Sequence, residues 1–348
     1  MHERSRPVRR PARRPAGRPT TTAAAVLLTG AAAAGAVVAL LPQWTGLAGT
    51  TPFAQAVAFR LPVGLGLGGL AALTGLAALR GRRLRRLLLP AASVLAVAAA
   101  GSLATTLTRG LGAGTLPPAQ PGDVTVLAAN VLHSSADPAD VARLAVAAGA
   151  DVLALPEADR AYADDVAARV RAATGTGVQV LFATDRDGRS GEGTALLVSE
   201  RLGEYRATGE LSGGLRAVVT AAPVAGSGPV LAAAHTAAPV PELLQEWRRE
   251  VRAVADWCAA TPGALLAGDL NATLDHPVLR LRGTCVDAGL QTGTAAHGTW
   301  PLRLPAALGA TIDHALADGA SWRAVGTRVE VVRGSDHRAL LVRWRPVG

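Results

Sequence analysis

The sequence predicts three apolar helices followed by an α/β domain in which sheets are covered by helices. Three observations predict it. Charge-free apolar runs of helix length recur within the first 107 residues. Beyond residue 122, short apolar runs of strand length alternate with segments of helical period. Several of those short runs end directly on an acid, an amide or an imidazole.

Residues 1–21 form a basic tail with seven Arg interleaved with Pro. Such a segment cannot pack a core and is expected to be solvated. The first apolar run, about 22–41, carries no charge and can cross roughly 30 Å of hydrocarbon as a helix. A secretory signal would have a shorter apolar region of about 7–15 residues, so this run reads as an anchor. The second run, about 61–79, follows Arg60 and is rich in Gly. Gly64 and Gly68 have the small-xxx-small spacing that permits close helix packing, although a Gly-rich composition alone also produces it. Arg80, Arg82, Arg83, Arg85 and Arg86 come next, and a third apolar run occupies about 87–107. With three spans, the tail and this cluster fall on one side, which the positive-inside rule makes cytoplasmic. The expectation is therefore a multi-pass protein of the cell membrane whose C-terminal domain is extracellular. Residues 108–122, rich in Gly and Pro, read as a linker to a domain at 123–348.

The net charge of +9 is unevenly spread. The first 110 residues hold 14 Arg against Glu3 alone, whereas the remainder carries 21 Arg against 25 Asp or Glu. The C-terminal domain is thus mildly acidic and lacks the basic, aromatic-interleaved stripe of an avid nucleic-acid binder. Every basic side chain is Arg; the absence of Lys excludes a P-loop. Cys258 and Cys285 have neither CxxC nor zinc-ribbon spacing, and both pairing and two buried free thiols stay open.

Within 123–348, strands are expected at Val124–Ala129, Asp151–Leu155, Val178–Phe182, Ala195–Val198, Ala217–Val224, Val230–Ala234, Ala264–Ala267, Arg328–Val332 and Ala339–Trp344. Helices are expected at Asp137–Ala148, with Pro138 suited to the first turn, and at Tyr162–Ala173. The strongest helical period is Pro241–Cys258, where Leu244, Trp247, Val251, Val254 and Cys258 recur at three- and four-residue steps.

The chemistry lies where these runs stop. Asn130, Glu157, His235, the pair Asp269 and Asn271, Asp313, and the pair Asp336 and His337 each stand at or beside a strand end. Strand ends of α/β sheets meet at one rim, and sites form there. Any one of these groups alone is an ordinary loop residue; six such ends in one domain point to a site. Clustered carboxylates repel one another unless a cation joins them, so the set predicts a metal. Carboxylate and amide oxygens suit Mg²⁺ or Mn²⁺. Zinc would prefer His and Cys and HExxH is absent, although a His-rich two-metal site using His235, His314 and His337 is a further option. No GxSxG elbow indicates a serine nucleophile. His133 and His276, in polar turns, are expected to be solvated, and His314 to face away from Asp313 by alternation. Gln291–Pro305, with His297 and Trp300, reads equally as a substrate loop or an ordinary surface loop, and Arg216 as facing a phosphate or the solvent.

The ordered motifs, with Asn130, then "LPE" at Glu157, "AAAHTAAP" at His235, "LLAGDLN" at Asp269 and Asn271, "TIDH" at Asp313 and "GSDH" at Asp336 and His337, resemble the endonuclease/exonuclease/phosphatase superfamily, which includes deoxyribonuclease I. The resemblance covers the whole of 123–348. It implies a four-layer α/β sandwich: two mixed sheets face to face, with helices on both outer faces. It also implies a metal held by Glu157 with Asn130 and Asp336, an attacking water oriented or deprotonated by Asp269, and a phosphate held by Asn271. His337 would pair with Asp313, and His235 would contact the phosphate or act on the leaving group, with Glu192 as its acidic partner. The pattern departs from the family at Ala129 (usually Trp), Pro156 (usually Gln) and Leu270 (usually Phe), none of which removes a catalytic group.

The function so implied is a Mg²⁺- or Mn²⁺-dependent phosphoesterase hydrolysing a phosphodiester or phosphomonoester by activated water. An extracellular nuclease is one form of it, and a phospholipid or sphingomyelin-type phosphodiesterase the alternative. From a different class comes a catalytically idle, membrane-tethered binding domain, which would be expected to have lost Glu157, Asp269 or His337. The partners implied are a phosphate-ester substrate (nucleic acid, lipid headgroup or small phosphate) and a bilayer, with no protein partner.

Overall fold

Successive residues of a strand point to opposite faces, so parity decides which side chains meet. The computed structural model describes residues 19–184, 192–209, 211, 217–226 and 228–348, without the side chains of residues 19–21, 40, 42, 43 and 192. The tail as far as residue 18, Arg216 and the side chain of Glu192 therefore lie outside the described residues.

The N-terminal part holds the long helices α1 (Pro19–Leu40), α4 (Arg60–Ala78) and α5 (Arg82–Arg109), with the short helices α2 (Pro42–Thr45) and α3 (Phe53–Ala58) between the first two. By length and composition α1, α4 and α5 could each cross a membrane. The small residues noted in the sequence let α4 approach α5 closely. A Cβ added at Gly64 would lie 2.7 Å from the Ser102 Cβ, and one at Gly68 would lie 3.5 Å from the Ala99 Cβ.

The C-terminal part begins with β1 (Gly114–Thr115), β2 (Val124–Ala128), α6 (Pro138–Ala148), β3 (Val152–Asp159), α7 (Arg160–Thr174), β4 (Val178–Thr184) and β5 (Glu192–Ser199). It continues with β6 (Tyr205–Ala207), β7 (Ala217–Pro223), β8 (Val230–His235), α8 (Leu244–Ala260), β9 (Ala264–Asp269) and β10 (Cys285–Asp287). It ends with α9 (Ala288–Thr292), β11 (Asp313–Asp318), β12 (Trp322–Val331) and β13 (Arg338–Pro346). Asp137 starts α6 by accepting from the Ala139 N–H, with Pro138 in the first turn, and Asp159 starts α7 by accepting from Tyr162.

The strands form two sheets, in the orders β1-β12-β13-β2-β3-β5-β4 and β10-β11-β9-β8-β7-β6. Both are mixed, since β2 runs parallel to β3 and β8 parallel to β9. Residues of one parity, including Val126, Ala128 and Ala154 in the first sheet and Leu231, Leu265 and Ala315 in the second, fill the space between the sheets. The other parity packs outward. Leu127 and Leu153 meet α6 and α7 through Val141 and Val166. Leu266 and Leu316 meet α8 through Trp247 and Val251. The layers are helix, sheet, sheet, helix, as the resemblance implied.

Several features were not anticipated. β12 begins at Trp322, while β6, β10 and α9 are too short to display a period. Residues 110–122 do not behave as a free linker. Gly114 and Thr115 pair with Arg328 and Thr327 of β12, and Ala295 and Ala296 donate to the Arg109 and Gly110 carbonyls. The domain is also tied to both ends of the α4–α5 hairpin by one buried carboxylate. Asp275 accepts from Arg60 Nε at 2.8 Å and from Arg109 Nη1 and Nη2 at 2.8 and 3.0 Å. Burial opposes ionisation of Asp275, but the two guanidiniums outweigh it and hold its carboxyl below the usual range.

The cysteines resolve as a disulfide, Cys258–Cys285, which joins α8 to β10. The two residues are 27 positions apart. The variant Cys258→Ala/Cys285→Ala should therefore lose roughly 3 kcal/mol, because the unfolded chain is no longer cross-linked. The measurement is the urea midpoint of the full chain in detergent, which should fall.

Candidate active site

Three neighbouring strands of each sheet build one pocket. In the second sheet the register sets Asp313 of β11 opposite Asp269 of β9, and Asp269 beside His235 of β8. Each continues an inner-face parity: Leu265 and Ala267 lead to Asp269, Leu231 and Ala233 to His235, and Ala315 and Ala317 lie on the same side as Asp313. Gly268 allows the two parallel strands to come together. Its φ is +146°, and a Cβ there would meet the Ala234 carbonyl oxygen at 2.0 Å. The first sheet supplies Asn130 just after β2, Glu157 within β3, and His337 just before β13.

Glu157 reaches the pocket by a backbone irregularity. By simple alternation after Val152 and Ala154 it would point into the α6–α7 layer. The register with β5 shifts between Pro156 and Ala158, and Glu157 adopts φ +59°. Such a bulge re-aims a side chain, at a cost of about 1–3 kcal/mol for a non-Gly residue in this region. The loop after Asn130 is also left-handed, with φ of 48°, 52° and 62° at Leu132, His133 and Ser134. It turns its N–H groups inward: Leu132 donates to Asn130 Oδ1 at 2.9 Å, His133 to Glu157 Oε2 at 3.2 Å, and Ser134 to the Glu157 carbonyl at 3.0 Å.

Asn130 Nδ2 donates to Glu157 Oε1 at 2.8 Å and to Asp269 Oδ2 at 3.0 Å. Asn130 was expected among the metal ligands through its oxygen. That oxygen is engaged by Leu132, and reversing the amide would set oxygen against two carboxylates. In this orientation Asn130 bridges the acids. Asp269 Oδ1 accepts from the Asn271 N–H at 2.8 Å, while Asn271 Nδ2 donates to the Thr236 carbonyl at 3.0 Å. In this arrangement the Asn271 amide nitrogen holds the loop after β8. His235 Nε2 lies 3.6 Å from Glu157 Oε1, so Glu157 is an acid close to this histidine. The alternative partner, Glu192, opens β5, and its side chain is outside the described residues.

His337 Nδ1 donates to Asp313 Oδ2 at 2.9 Å, and its Nε2 lies 3.8 Å from both Asp269 Oδ2 and Asp336 Oδ1. Burial opposes a charge on His337, but Asp313, Asp269 and Asp336 outweigh it and push its pKa up to about 10. Burial and the Asp313 charge raise the Asp269 pKa, with His337 and His235 opposing. Asp336 stands at the rim, where its Oδ2 accepts from Trp300 Nε1 at 3.0 Å.

Glu157, His235 and Asp269 each offer a ligand atom, all within 4.8 Å of one another; so do Asp269, Asp313 and His337. The side-chain oxygens Asp313 Oδ1 and Asp336 Oδ1 are buried without a hydrogen-bond partner. At about 4 Å, like charges repel by about 4 kcal/mol at an effective dielectric constant of 20. Glu157, Asp269, Asp313 and Asp336 crowd acidic groups around His337. The oxygen-rich donor set fits a hard divalent cation, and these acids could bind one.

Of the two histidines expected to be solvated, one is not. His276 is buried, not solvated: its Nδ1 accepts from the Thr273 N–H at 2.8 Å, its Nε2 meets the Ala54 carbonyl at 2.8 Å, and its ring stands edge-on to Trp247. His133 is exposed on its outer side, but its backbone and ring both approach Glu157. His314 faces away from the pocket as expected, with Nδ1 2.8 Å from Asp287 Oδ2. Trp300, open between two readings in the sequence, lies over the pocket through Asp336 and His337. Only His133 weakly marks Leu132–Ser134 as left-handed, because the segment has neither Gly nor Asn.

A model of the Endonuclease/Exonuclease/phosphatase family matches residues 127–337. No curated protein matches the chain. Among solved structures, D. rerio TDP2 humanised by 14 mutations is 19% identical over 64% of this chain and 99% of its own, with a TM-score of 0.49. The human Nocturnin catalytic domain with bound sulfate is 13% identical over 67% and 97%, with a TM-score of 0.49. An endonuclease/exonuclease/phosphatase family protein from Leptotrichia buccalis C-1013-b is 14% identical over 65% and 100%, with a TM-score of 0.49.

Replacing Asp313 by Asn removes the anion bonded to Nδ1, so in metal-free protein the His337 pKa should fall well below its value of about 10. An NMR titration of the imidazole would follow it. The wild-type ring should stay protonated through neutral pH, and the variant ring should lose its proton at lower pH.

Proposed function

The chain belongs to the endonuclease/exonuclease/phosphatase family, and from that premise we propose that it is a membrane-anchored hydrolase of phosphate esters dependent on Mg²⁺ or Mn²⁺. The observation that carries this reading is the convergence of Glu157, His235, Asp269 and His337 on one pocket, with Asp313 bonded behind His337. Glu157 and, at the rim, Asp336 are the acids that would hold the cation, beside the Asn130 amide. When bound, the cation polarises a phosphoryl oxygen and neutralises developing charge.

The chain's own groups divide the remaining work. Asp269 is buried with a raised pKa, which suits a carboxylate that orients a water and takes its proton. Asn130 and the Asn271 N–H hold that carboxylate in place. Asp313 fixes the orientation of His337 and keeps it charged, so that its Nε2–H faces the position a phosphoryl oxygen would take. His235 stands on the other side of Glu157, placed to contact the phosphate or the leaving oxygen. An idle binding domain is disfavoured, since Glu157, Asp269 and His337 are all present and line one pocket.

We place the N-terminus and the Arg80–Arg86 cluster in the cytoplasm and the catalytic domain outside the cell. The Arg distribution supports this orientation. So does the Cys258–Cys285 bridge, which suits an oxidising compartment. A reporter fused after residue 348 should be active only on the outer side, and a cytoplasmic signal would reverse the assignment.

Purified full-length protein in detergent should hydrolyse at least one of bis-p-nitrophenyl phosphate, plasmid DNA, RNA and sphingomyelin with Mg²⁺ or Mn²⁺, and EDTA should stop it. His337→Ala should lower kcat by about 10²–10⁴. Turnover that survives both EDTA and that substitution would reject the reading.

A further inference from the structure

One wall of the catalytic pocket does not come from the catalytic fold. The pocket holds about 550 Å³, and Ala54, Gln55, Ala58 and Phe59, from the connection between α1 and α4, close one side of it. That wall is fastened. Gln55 Nε2 donates to the Pro239 carbonyl, His276 Nε2 meets the Ala54 carbonyl at 2.8 Å, and the Phe59 and Trp300 rings stand 6.2 Å apart. The next residue, Arg60, begins a helix apolar enough to span a membrane, and it is ion-paired to Asp275 of the domain. In a chain anchored as proposed above, the pocket therefore has the membrane interface as its wall.

The lining is two-sided. Acids and histidines occupy the floor; Phe59, Leu132, Val240, Leu243, Trp300 and Ile312 make the sides. No Arg lines the pocket among the described residues. A polyanionic strand held phosphate by phosphate calls for a basic track, which these walls do not offer. They suit a single phosphate joined to an apolar group. On the opposite face of α3 a second apolar groove of about 370 Å³ runs between α1 and α4, lined by Val38, Phe53, Val57, Val63 and Leu67. Apolar surface thus flanks α3 on its membrane side and on its catalytic side.

We infer that the substrate is a phosphate ester carried on an apolar chain embedded in the bilayer, with its phosphate at the Glu157–Asp269–His337 floor and its apolar part against Phe59, Val240 and Leu243. The inference rests on the hydrolase reading and narrows its substrate class. In the step, a water oxygen forms a new P–O bond while the ester P–O bond breaks. The leaving oxygen gains a proton, the attacking water loses one, and no oxidant or reductant is needed.

Two esters that share a leaving group and differ only in the apolar chain test it: hexadecyl and methyl p-nitrophenyl phosphate, with the full chain in phosphatidylcholine nanodiscs. The hexadecyl ester should be hydrolysed with a kcat/KM at least tenfold higher than the methyl ester. Partition into the disc is the same for every variant, so variants isolate the protein's contribution. Phe59→Ser should lower the hexadecyl-to-methyl ratio by about tenfold, the scale of a lost apolar pocket contact, and Val240→Ser, on a separate segment, should lower it in the same direction. Hydrolysis of both esters with a ratio that neither substitution changes would overturn the lipid inference and leave the hydrolase reading standing. Faster turnover of plasmid DNA than of the hexadecyl ester would also overturn it. No hydrolysis of either ester or of any other phosphate ester tried would overturn both readings.

Discussion

The site depends on strand register. Asp313, Asp269 and His235 lie side by side because β11, β9 and β8 are paired with those residues opposite one another. Side chains alternate with a period of two, so a one-residue slip of β9 would carry Asp269 into the α8 layer and bring Gly268 to the floor. The buried residues of the same strands oppose that slip. Leu265 and Ala267 belong between the sheets, while Leu266 belongs under α8. Exchanging the two sets would take well-packed apolar side chains out of both layers at once. The hydrophobic core thus holds the charged groups in place.

The same logic explains which parts of the site were legible in the sequence. Asn130, His235 and Asp269 each extend an apolar alternation by one step and so could be placed at a strand end from the residues alone, whereas Asp313 opens β11, a strand that was not expected. Glu157 could be recognised by its motif but not placed by parity, since the bulge and its φ of +59° reverse the direction that alternation gives. The orientation of Asn130 was equally hidden. It follows from the Leu132 N–H, and that N–H points inward only because three consecutive ordinary residues adopt left-handed backbone. His276 carries no local signal of burial, because the segment that covers it, at Ala54, lies more than two hundred positions earlier in the chain. Periodicity reports on neighbours within an element and carries no signal from a distant segment that covers a turn.

That distant segment changes what the N-terminal helices are. A Gly/Pro-rich stretch before a domain ordinarily gives it freedom to reorient. Here residues 110–115 are bonded into the domain, and Asp275 grips Arg60 and Arg109 together. A carboxylate buried at 4% exposure tolerates its charge only because two guanidiniums share it. Separating the domain from either helix end would leave at least one of these charges without its partner. The joint is stiff for an electrostatic reason, and it fixes the direction in which the pocket faces.

A stiff joint also accounts for the composition of the pocket walls. Phe59, Leu243, Trp300 and Ile312 form an apolar surface beside a floor of acids. On a soluble domain standing free in water, such a patch would favour association with other apolar surfaces. Covered by α3, it excludes water from one side of the site and lowers the local dielectric, which strengthens the interaction of His337 with the acids around it. Burial raises the Asp269 pKa but opposes the charge on His337, whose pKa is raised by the acids around it. By closing one side of the pocket, the segment between α1 and α4 contributes to that burial, so the electrostatics of the floor depend in part on a wall built by the N-terminal helical part of the chain.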